Sequence, residues 1–170
     1  MKIKAIITIL LSFFTLVFLI LGGWMYYSLM NDKTEGHSIA SEVAKKNGIK
    51  IIEEVSTYHS DHVYYIVKGQ NENNQNVIVF IPEKNTENIK TVYEKDGLTK
   101  EEVLNLVNTY DQDKKPKEII SVKIGYDDSK SPKWDIPVWE VRYIDQQNRY
   151  TYFFVSFTDP KIYKAYSIQQ

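Results

Sequence analysis

The sequence predicts an α+β protein in which an N-terminal transmembrane helix precedes two tandem units, each one helix packed on an antiparallel sheet. Three observations support this fold class. Residues 3–30 are almost continuously apolar. Beyond residue 37, an apolar stripe with helical spacing leads into runs of β-branched and aromatic residues, which are typical of strands. This order begins again near residue 97, and a helix covering one face of a sheet is a two-layer α+β arrangement.

The first element is a transmembrane signal anchor at residues 5–30, after a cytoplasmic tail at residues 1–4. A helix of about 20 apolar residues crosses a hydrocarbon layer of about 30 Å, and no ionised side chain lies between Lys4 and Asn31. A cleaved signal peptide is the alternative, but its apolar region usually has about 7–15 residues and ends at a small-x-small site. Residues 24–27 (WMYY) are a poor cleavage site, so we expect the anchor to be retained.

The flanking residues predict the orientation of this anchor. Lys2 and Lys4 favour a cytoplasmic N-terminus, and the aromatic residues at 24–27 are typical of the opposite membrane interface. The polar linker predicted at residues 31–37 is not basic. We therefore expect a single-pass cell-membrane protein whose C-terminal domains are extracytoplasmic.

Composition limits the function classes. The formal net charge is −1, and without Lys2 and Lys4 it is about −3, which gives no long-range attraction for nucleic acid or anionic wall polymers. The absence of cysteine excludes disulfides, cysteine-based zinc sites and a thiol nucleophile. Aromatic residues make up 14% of the chain, which is enough for a packed core without disulfides.

The first extracytoplasmic unit is predicted at residues 38–96. It begins with a helix that ends at the stop signal Asn47-Gly48. Four apolar residues fall on one face of this helix: Ile39, Ala40, Val43 and Ala44. Its strands are predicted at residues 49–58, 63–67, 77–81 and 89–93.

The second unit is predicted at residues 97–170. Thr99 and Glu102 form a capping box at the start of a helix. The helix has an apolar stripe with i, i+3, i+4, i+7 spacing: Val103, Leu106, Val107 and Tyr110. Strands are predicted at residues 119–126, 138–144, 150–158 and 162–168, with a loop at residues 127–137 that contains two prolines and Trp134.

The sequence contains no motif for an enzyme. There is no Gly-x-Ser-x-Gly, Ser-x-x-Lys or His-Glu-x-x-His motif and no glycine-rich phosphate loop. His59, Asp61 and His62 could offer ligands to zinc, but polar residues at a tight turn between strands explain them more simply. Asp127 and Asp128 could attract calcium, but too few acidic ligands accompany them. We therefore predict no catalytic, cofactor-binding or metal-binding residue.

Aromatic side chains are the candidates for partner contacts. Both faces of the strand at residues 150–157 carry rings, with Tyr150, Tyr152 and Phe154 on one face. A half-solvated strand has one polar face, so either both faces are covered within the protein or one face is left for a partner. Trp134 on its proline-flanked loop is the fourth candidate, since aromatic anchors are enriched at interfaces.

The architecture and the segments TKEEVLNLV (residues 99–107) and VWEVRYIDQQNRYTYFFVSF (residues 138–157) resemble the TseB-like (YpmB-like) family of cell wall elongation regulators. The resemblance implies tandem domains similar to PepSY and cystatin-like folds. It also implies a Gram-positive, membrane-anchored, non-enzymatic accessory protein that acts on a class B penicillin-binding protein during peptidoglycan synthesis. Two other functions stay open: a PepSY-type inhibitor or chaperone of an extracytoplasmic peptidase, and a hydrolase of an unrecognised type.

The predicted orientation can be tested by proteolysis. Protease added to intact, wall-stripped cells should digest the part of the chain after residue 31, because this part is expected outside the membrane. Antibodies to the C-terminal region would detect the digestion on blots, with a cytoplasmic protein as the protection control. Full protection of the C-terminal region would reverse the orientation.

Overall fold

The computed structural model describes residues 2–130 and 133–169. Four residues of the predicted segments lie outside the described residues: Met1 of the tail, Ser131 and Pro132 of the loop, and Gln170 at the C-terminus. The chain forms two compact units, Met1–Ser38 and Ile39–Gln170. The predicted α+β class is confirmed by an N-terminal apolar helix and two four-stranded antiparallel sheets.

The first element is a helix, α1, which runs from Lys2 to Lys46. Within it, Leu10–Ser28 is long and apolar enough to cross a membrane, and none of this stretch is buried in the described structure. Residues 31–37, predicted as a linker, are helical, so the three-turn helix predicted from residue 38 is the end of a longer one. No proline interrupts residues 31–37, and one glycine costs a helix only about 1 kcal/mol relative to alanine.

The first sheet follows the end of α1 and has the strand order β1-β2-β3-β4. Gly48 ends the helix in the left-handed conformation, with φ +89°. Ala40 and Ala44 of α1 are fully buried and pack with one face of the sheet, which includes Val67 and Val79. The strands are β1 (Ile49–His59), β2 (Val63–Asn71), β3 (Asn76–Pro82) and β4 (Lys90–Tyr93).

The second sheet follows a short 3₁₀ turn and a helix, α2, and has the strand order β5-β6-β7-β8. The capping box starts α2 as predicted: the Glu102 N–H donates to the Thr99 hydroxyl over 3.2 Å, and the Thr99 N–H donates to the Glu102 carboxylate over 2.7 Å. Val103 and Val107 are buried, whereas Tyr110, predicted in the same stripe, is exposed. The elements are α2 (Lys100–Tyr110), β5 (Pro116–Asp127), β6 (Ile136–Asp145), β7 (Tyr150–Ser156) and β8 (Ile162–Ile168).

The two sheets share one hydrophobic core. The face of the first sheet that does not contact α1, including Tyr64 and Phe80, packs with α2 and with residues of the second sheet. Tyr126 of β5 lies at the centre of this contact, with its ring centroid 4.8 Å from that of Tyr64 and 5.4 Å from that of Phe80. Both faces of the central strands β2 and β3 are therefore covered, which explains why residues 63–67 and 77–81 are uniformly apolar, whereas much of β1 and β4 is exposed.

A second contact between the sheets depends on a glycine. Gly125 of β5 lies under the ring of Tyr58 of β1, and a Cβ atom at position 125 would overlap that ring. Both strands are paired to their neighbours at this point, Tyr58 with Tyr64 and Gly125 with Val138. The backbone therefore cannot move away from the ring without loss of strand pairing.

Replacement of Gly125 by alanine should destabilise the protein. Overpacking of a core costs about 1–3 kcal/mol, and we expect a loss of this size for Gly125→Ala in urea unfolding of the full chain in detergent micelles. Lys123→Ala, on the same strand at an exposed position, is the matched control and should change the unfolding midpoint little. Equal midpoints for the two variants would contradict the described contact.

Candidate partner-binding groove

The turn between β1 and β2 contacts the connection between β5 and β6. The imidazole of His62, at the end of the turn, contacts the carboxylate of Asp128. The Tyr64 hydroxyl donates to the same carboxylate over 3.2 Å. Nearby, the Tyr126 hydroxyl donates to Asp135 over 2.8 Å. A polar cluster therefore joins the two sheets beside their shared core.

These contacts change the acidity of the groups involved. Burial by itself raises the pKa of Asp128, but hydrogen bonds from His62, Ser60 and Tyr64, together with the nearby His62 imidazole, hold this pKa below its ordinary value. The second oxygen of Asp128, Oδ1, is buried and has no hydrogen-bond partner among the described residues. Burial and the neighbouring carboxylates raise the pKa of Tyr64 and of Tyr126. Both phenols therefore stay protonated as donors at neutral pH.

Of the two histidines predicted as turn residues, His62 lies in the turn, where the Ser60 N–H donates to the His62 carbonyl over 2.9 Å, and His59 is the last residue of β1, paired with Val63. Among the described residues, no group of three histidine, aspartate or glutamate side chains is placed to hold a metal ion. The contact of His62 with Asp128, 66 positions later in the chain, was not predicted, because nothing in the local sequence specifies a partner in the second sheet.

Next to this junction lies a groove of about 400 Å³, called here the junction groove. One wall is the end of β1 with the following turn, residues 57–61. The floor is the outer face of the second sheet, which is the face opposite α2. Two rows of side chains cross this face from β5 to β8: Lys123, Glu140, Phe154 and Lys164, then Ser121, Arg142, Tyr152 and Tyr166.

Three stacked rings form part of the floor. The ring of Tyr166 lies 5.0 Å from that of Tyr152 with an interplanar angle of 9°, and 6.2 Å from that of Phe154 with an angle of 19°. The Lys164 ammonium lies 5.4 Å from the Phe154 centroid and 5.3 Å from the Tyr166 centroid. Burial and neighbouring Tyr152 raise the pKa of Tyr166. The side chains hold one another in place before any partner binds.

Glu140 and Arg142 in the groove form an ion pair with each other, whereas two lysines there have no carboxylate partner among the described residues. The Glu140 carboxylate accepts from Arg142 over 2.9 Å and from the Tyr58 hydroxyl over 2.9 Å. Burial and this carboxylate raise the pKa of Tyr58. Within the described part of the chain, neither Lys123 nor Lys164 has a carboxylate oxygen within 4.0 Å. Two ammonium groups are therefore available to a ligand.

The structure separates the four predicted contact residues. Tyr152 and Phe154 line the junction groove, although Phe154 is only 7% exposed. Tyr150 shares their face but lies at the start of β7, beyond the residues that line the groove. Trp134 is half-buried and packs edge-to-face on Tyr163 at 4.3 Å, beside a separate cavity of about 240 Å³.

Two residues of the groove floor, Lys164 and Tyr166 of β8, were not predicted from the sequence. Lys164 and Tyr166 alternate on β8 and therefore share a face, and this signal was present in the sequence. The antiparallel pairing of β7 with β8 then places them opposite Phe154 and Tyr152. Tyr58 gave no comparable signal, because its contact with Glu140 spans 82 positions.

Comparison with known proteins agrees with this fold. A family model for the cell wall elongation regulator TseB-like domain matches residues 40–82. The "Probable cell wall elongation regulator TseB" of Bacillus subtilis (strain 168) is 28% identical over 166 residues, which covers 96% of this chain and 98% of that protein. The predicted resemblance to the TseB-like family is confirmed. A solved structure of the YpmB protein from Bacillus subtilis aligns over 79% of this chain and 98% of that protein's chain, with a TM-score of 0.67 and 24% identity, and shows that the two proteins share a fold.

The contact between His62 and Asp128 can be tested by acid unfolding. A carboxylate with a lowered pKa in the folded state adds stability above its unfolded pKa, and this stability is lost as the pH falls through the folded pKa. His62→Ala removes the first stabilising contact and raises the folded pKa of Asp128. We therefore expect this variant to unfold at a higher pH than the wild type, with a loss of about 1 kcal/mol or less near neutral pH because the histidine is half-exposed.

Circular dichroism of the full chain in micelles, titrated downward from neutral pH, would measure this. His59→Ala is the matched control, because His59 is an exposed histidine at the same hairpin and should leave the acid midpoint unchanged. If the His62→Ala variant also kept the wild-type midpoint, the contact would not contribute to stability.

Proposed function

We propose that this chain is a membrane-anchored, extracytoplasmic accessory protein that regulates cell wall elongation through interaction with a class B penicillin-binding protein. The observation that supports this most strongly is the 28% identity, over 96% of the chain, to a probable cell wall elongation regulator. The class of partner follows from the resemblance to the TseB-like family. The junction groove offers a surface for such an interaction.

The proposed anchor is the apolar part of α1, with the tail at residues 1–4 in the cytoplasm and the span at residues 5–30. The stretch Leu10–Ser28, which is long and apolar enough to cross a membrane, supports the span, and the orientation is proposed from Lys2 and Lys4. Anchoring both partners in one bilayer raises their effective concentration, so a weak interface suffices. The two cystatin-like domains are proposed at residues 38–96 and 97–170.

The chemistry of the groove supports binding rather than catalysis. Glu140, in the middle of β6, lines the groove. One of its carboxylate oxygens accepts from Arg142 and the other from Tyr58. Asp127 is buried and accepts from the Ser129 N–H over 2.9 Å. Each of these two carboxylates is held by at least one structural hydrogen bond, which favours a binding role over that of a general base. We therefore propose that the protein is not an enzyme.

We propose that the aromatic residues predicted from the sequence contribute to the partner interface in two places. Tyr152 and Phe154 act within the junction groove. Tyr150, at the exposed start of β7, extends the same face. Trp134 offers a separate contact beside Tyr163, because a half-buried tryptophan keeps part of its ring available to a partner.

The partner can be identified by crosslinking in living cells. The full chain with a C-terminal affinity tag should be crosslinked with a short membrane-impermeant reagent, purified under denaturing conditions and examined by mass spectrometry. We expect a class B penicillin-binding protein to be enriched at least about tenfold over an unrelated single-span protein with the same tag, a ratio that corresponds to about 1.4 kcal/mol. Enrichment of an extracytoplasmic peptidase instead would overturn the proposal and favour the inhibitor or chaperone function.

A further inference from the structure

We infer that the junction groove binds an extended segment of the partner protein that carries a carboxylate side chain for Lys123 or Lys164. This inference rests on the proposed function and specifies the surface that would perform it. The groove volume of about 400 Å³ lies within the range of about 300–1,000 Å³ that is usual for ligand-binding clefts.

The two lysines define the direction of the groove. Lys123 on β5 and Lys164 on β8 end the same cross-strand row, with Glu140 and Phe154 between them. Strands are about 4.8 Å apart, so the lysine backbones are separated by roughly 14 Å. An extended chain advances about 3.3 Å per residue, and about four residues would cross this row. The groove therefore suits a short linear segment better than a folded surface.

The floor of the groove is preorganised for such a segment. Lys164 already lies over the rings of Phe154 and Tyr166, and Tyr166 stacks on Tyr152. Ordering a free lysine on binding costs conformational entropy, and the cation–π contacts reduce this cost. Tyrosine and arginine are enriched among residues that dominate binding energy, and Arg142 lies in the same row as Tyr152.

The carboxylates that line the groove favour a polypeptide over a polyanion. Asp61 is exposed on the wall at the β1–β2 turn, and Asp127 ends β5, the strand that carries Lys123. These two carboxylates would repel a chain of phosphates. A polypeptide can place a carboxylate against Lys164 and an amide or a cation against Asp61. The stacked rings turn their faces toward one another, which leaves little ring face for a sugar.

Site-specific photocrosslinking of the full chain in cells tests this surface. A benzoylphenylalanine residue in place of Tyr166 should crosslink to a partner peptide that contains aspartate or glutamate, mapped by mass spectrometry on the protein identified with the tagged chain. The same residue in place of Tyr93, on the first sheet, is the matched control, because these tyrosines are 40% and 42% exposed. A crosslink from position 166 to a wall polymer or lipid, or equal crosslinks from both positions, would overturn the inference.

Charge reversal provides the second test. Lys164→Glu should lower partner co-purification about tenfold, which corresponds to about 1.4 kcal/mol, while Lys164→Arg should keep it near the wild-type level. Lys95→Glu is the control, because Lys95 makes a similar contact 5.5 Å from the Tyr93 ring but lies outside the groove. Thermal melting of each variant would confirm that it folds.

The two experiments separate the possible failures. If tagged-chain crosslinking recovers a class B penicillin-binding protein but Lys164→Glu and Lys95→Glu retain it equally, the groove is not the contact surface and the proposed function stands. If position 166 crosslinks to an acidic peptide of an extracytoplasmic peptidase, the groove assignment stands and the proposed function fails.

Discussion

The contact between the two sheets at Tyr58 and Gly125 positions the wall of the junction groove. Because position 125 has no Cβ atom, the Tyr58 ring lies directly on the backbone of β5, and its hydroxyl reaches Glu140 on β6. The end of β1 is thereby held against the outer face of the second sheet. Without this contact the junction groove would have a floor but no wall.

The same contact helps to leave Lys123 without a carboxylate partner among the described residues. Tyr58 and Arg142 occupy the Glu140 carboxylate, although Glu140 lies directly opposite Lys123 in the sheet. Opposite charges in such a pair usually attract each other. Since Glu140 is used to fix β1, Lys123 is left to a ligand, and one structural hydrogen bond thus contributes to the electrostatic character of the binding surface.

Local signals in the sequence were sufficient to predict most helices and strands, but they did not predict how the two sheets pack together. The capping box at Thr99 and the alternating strands were read correctly because their determinants lie within a few residues of each other. The continuation of α1 through residues 31–37 was missed, because polar composition does not stop a helix that lacks proline. Half of the groove floor followed from the faces of β7, whereas its wall depends on a contact across 82 positions, which no periodicity encodes.

The packing of the central strands of the first sheet explains how its turn can contribute to a groove on the second sheet. Strands β2 and β3 pack with α1 on one face and with Tyr126 and α2 on the other, whereas much of β1 and β4 is exposed. The β1–β2 turn follows the paired end of β1 and carries Asp61 on the wall of the junction groove. The groove thus has an exposed carboxylate on its wall and two lysines on its floor, beside the internally paired Glu140, and the spacing of these charges sets which arrangement of ligand charges is complementary to them.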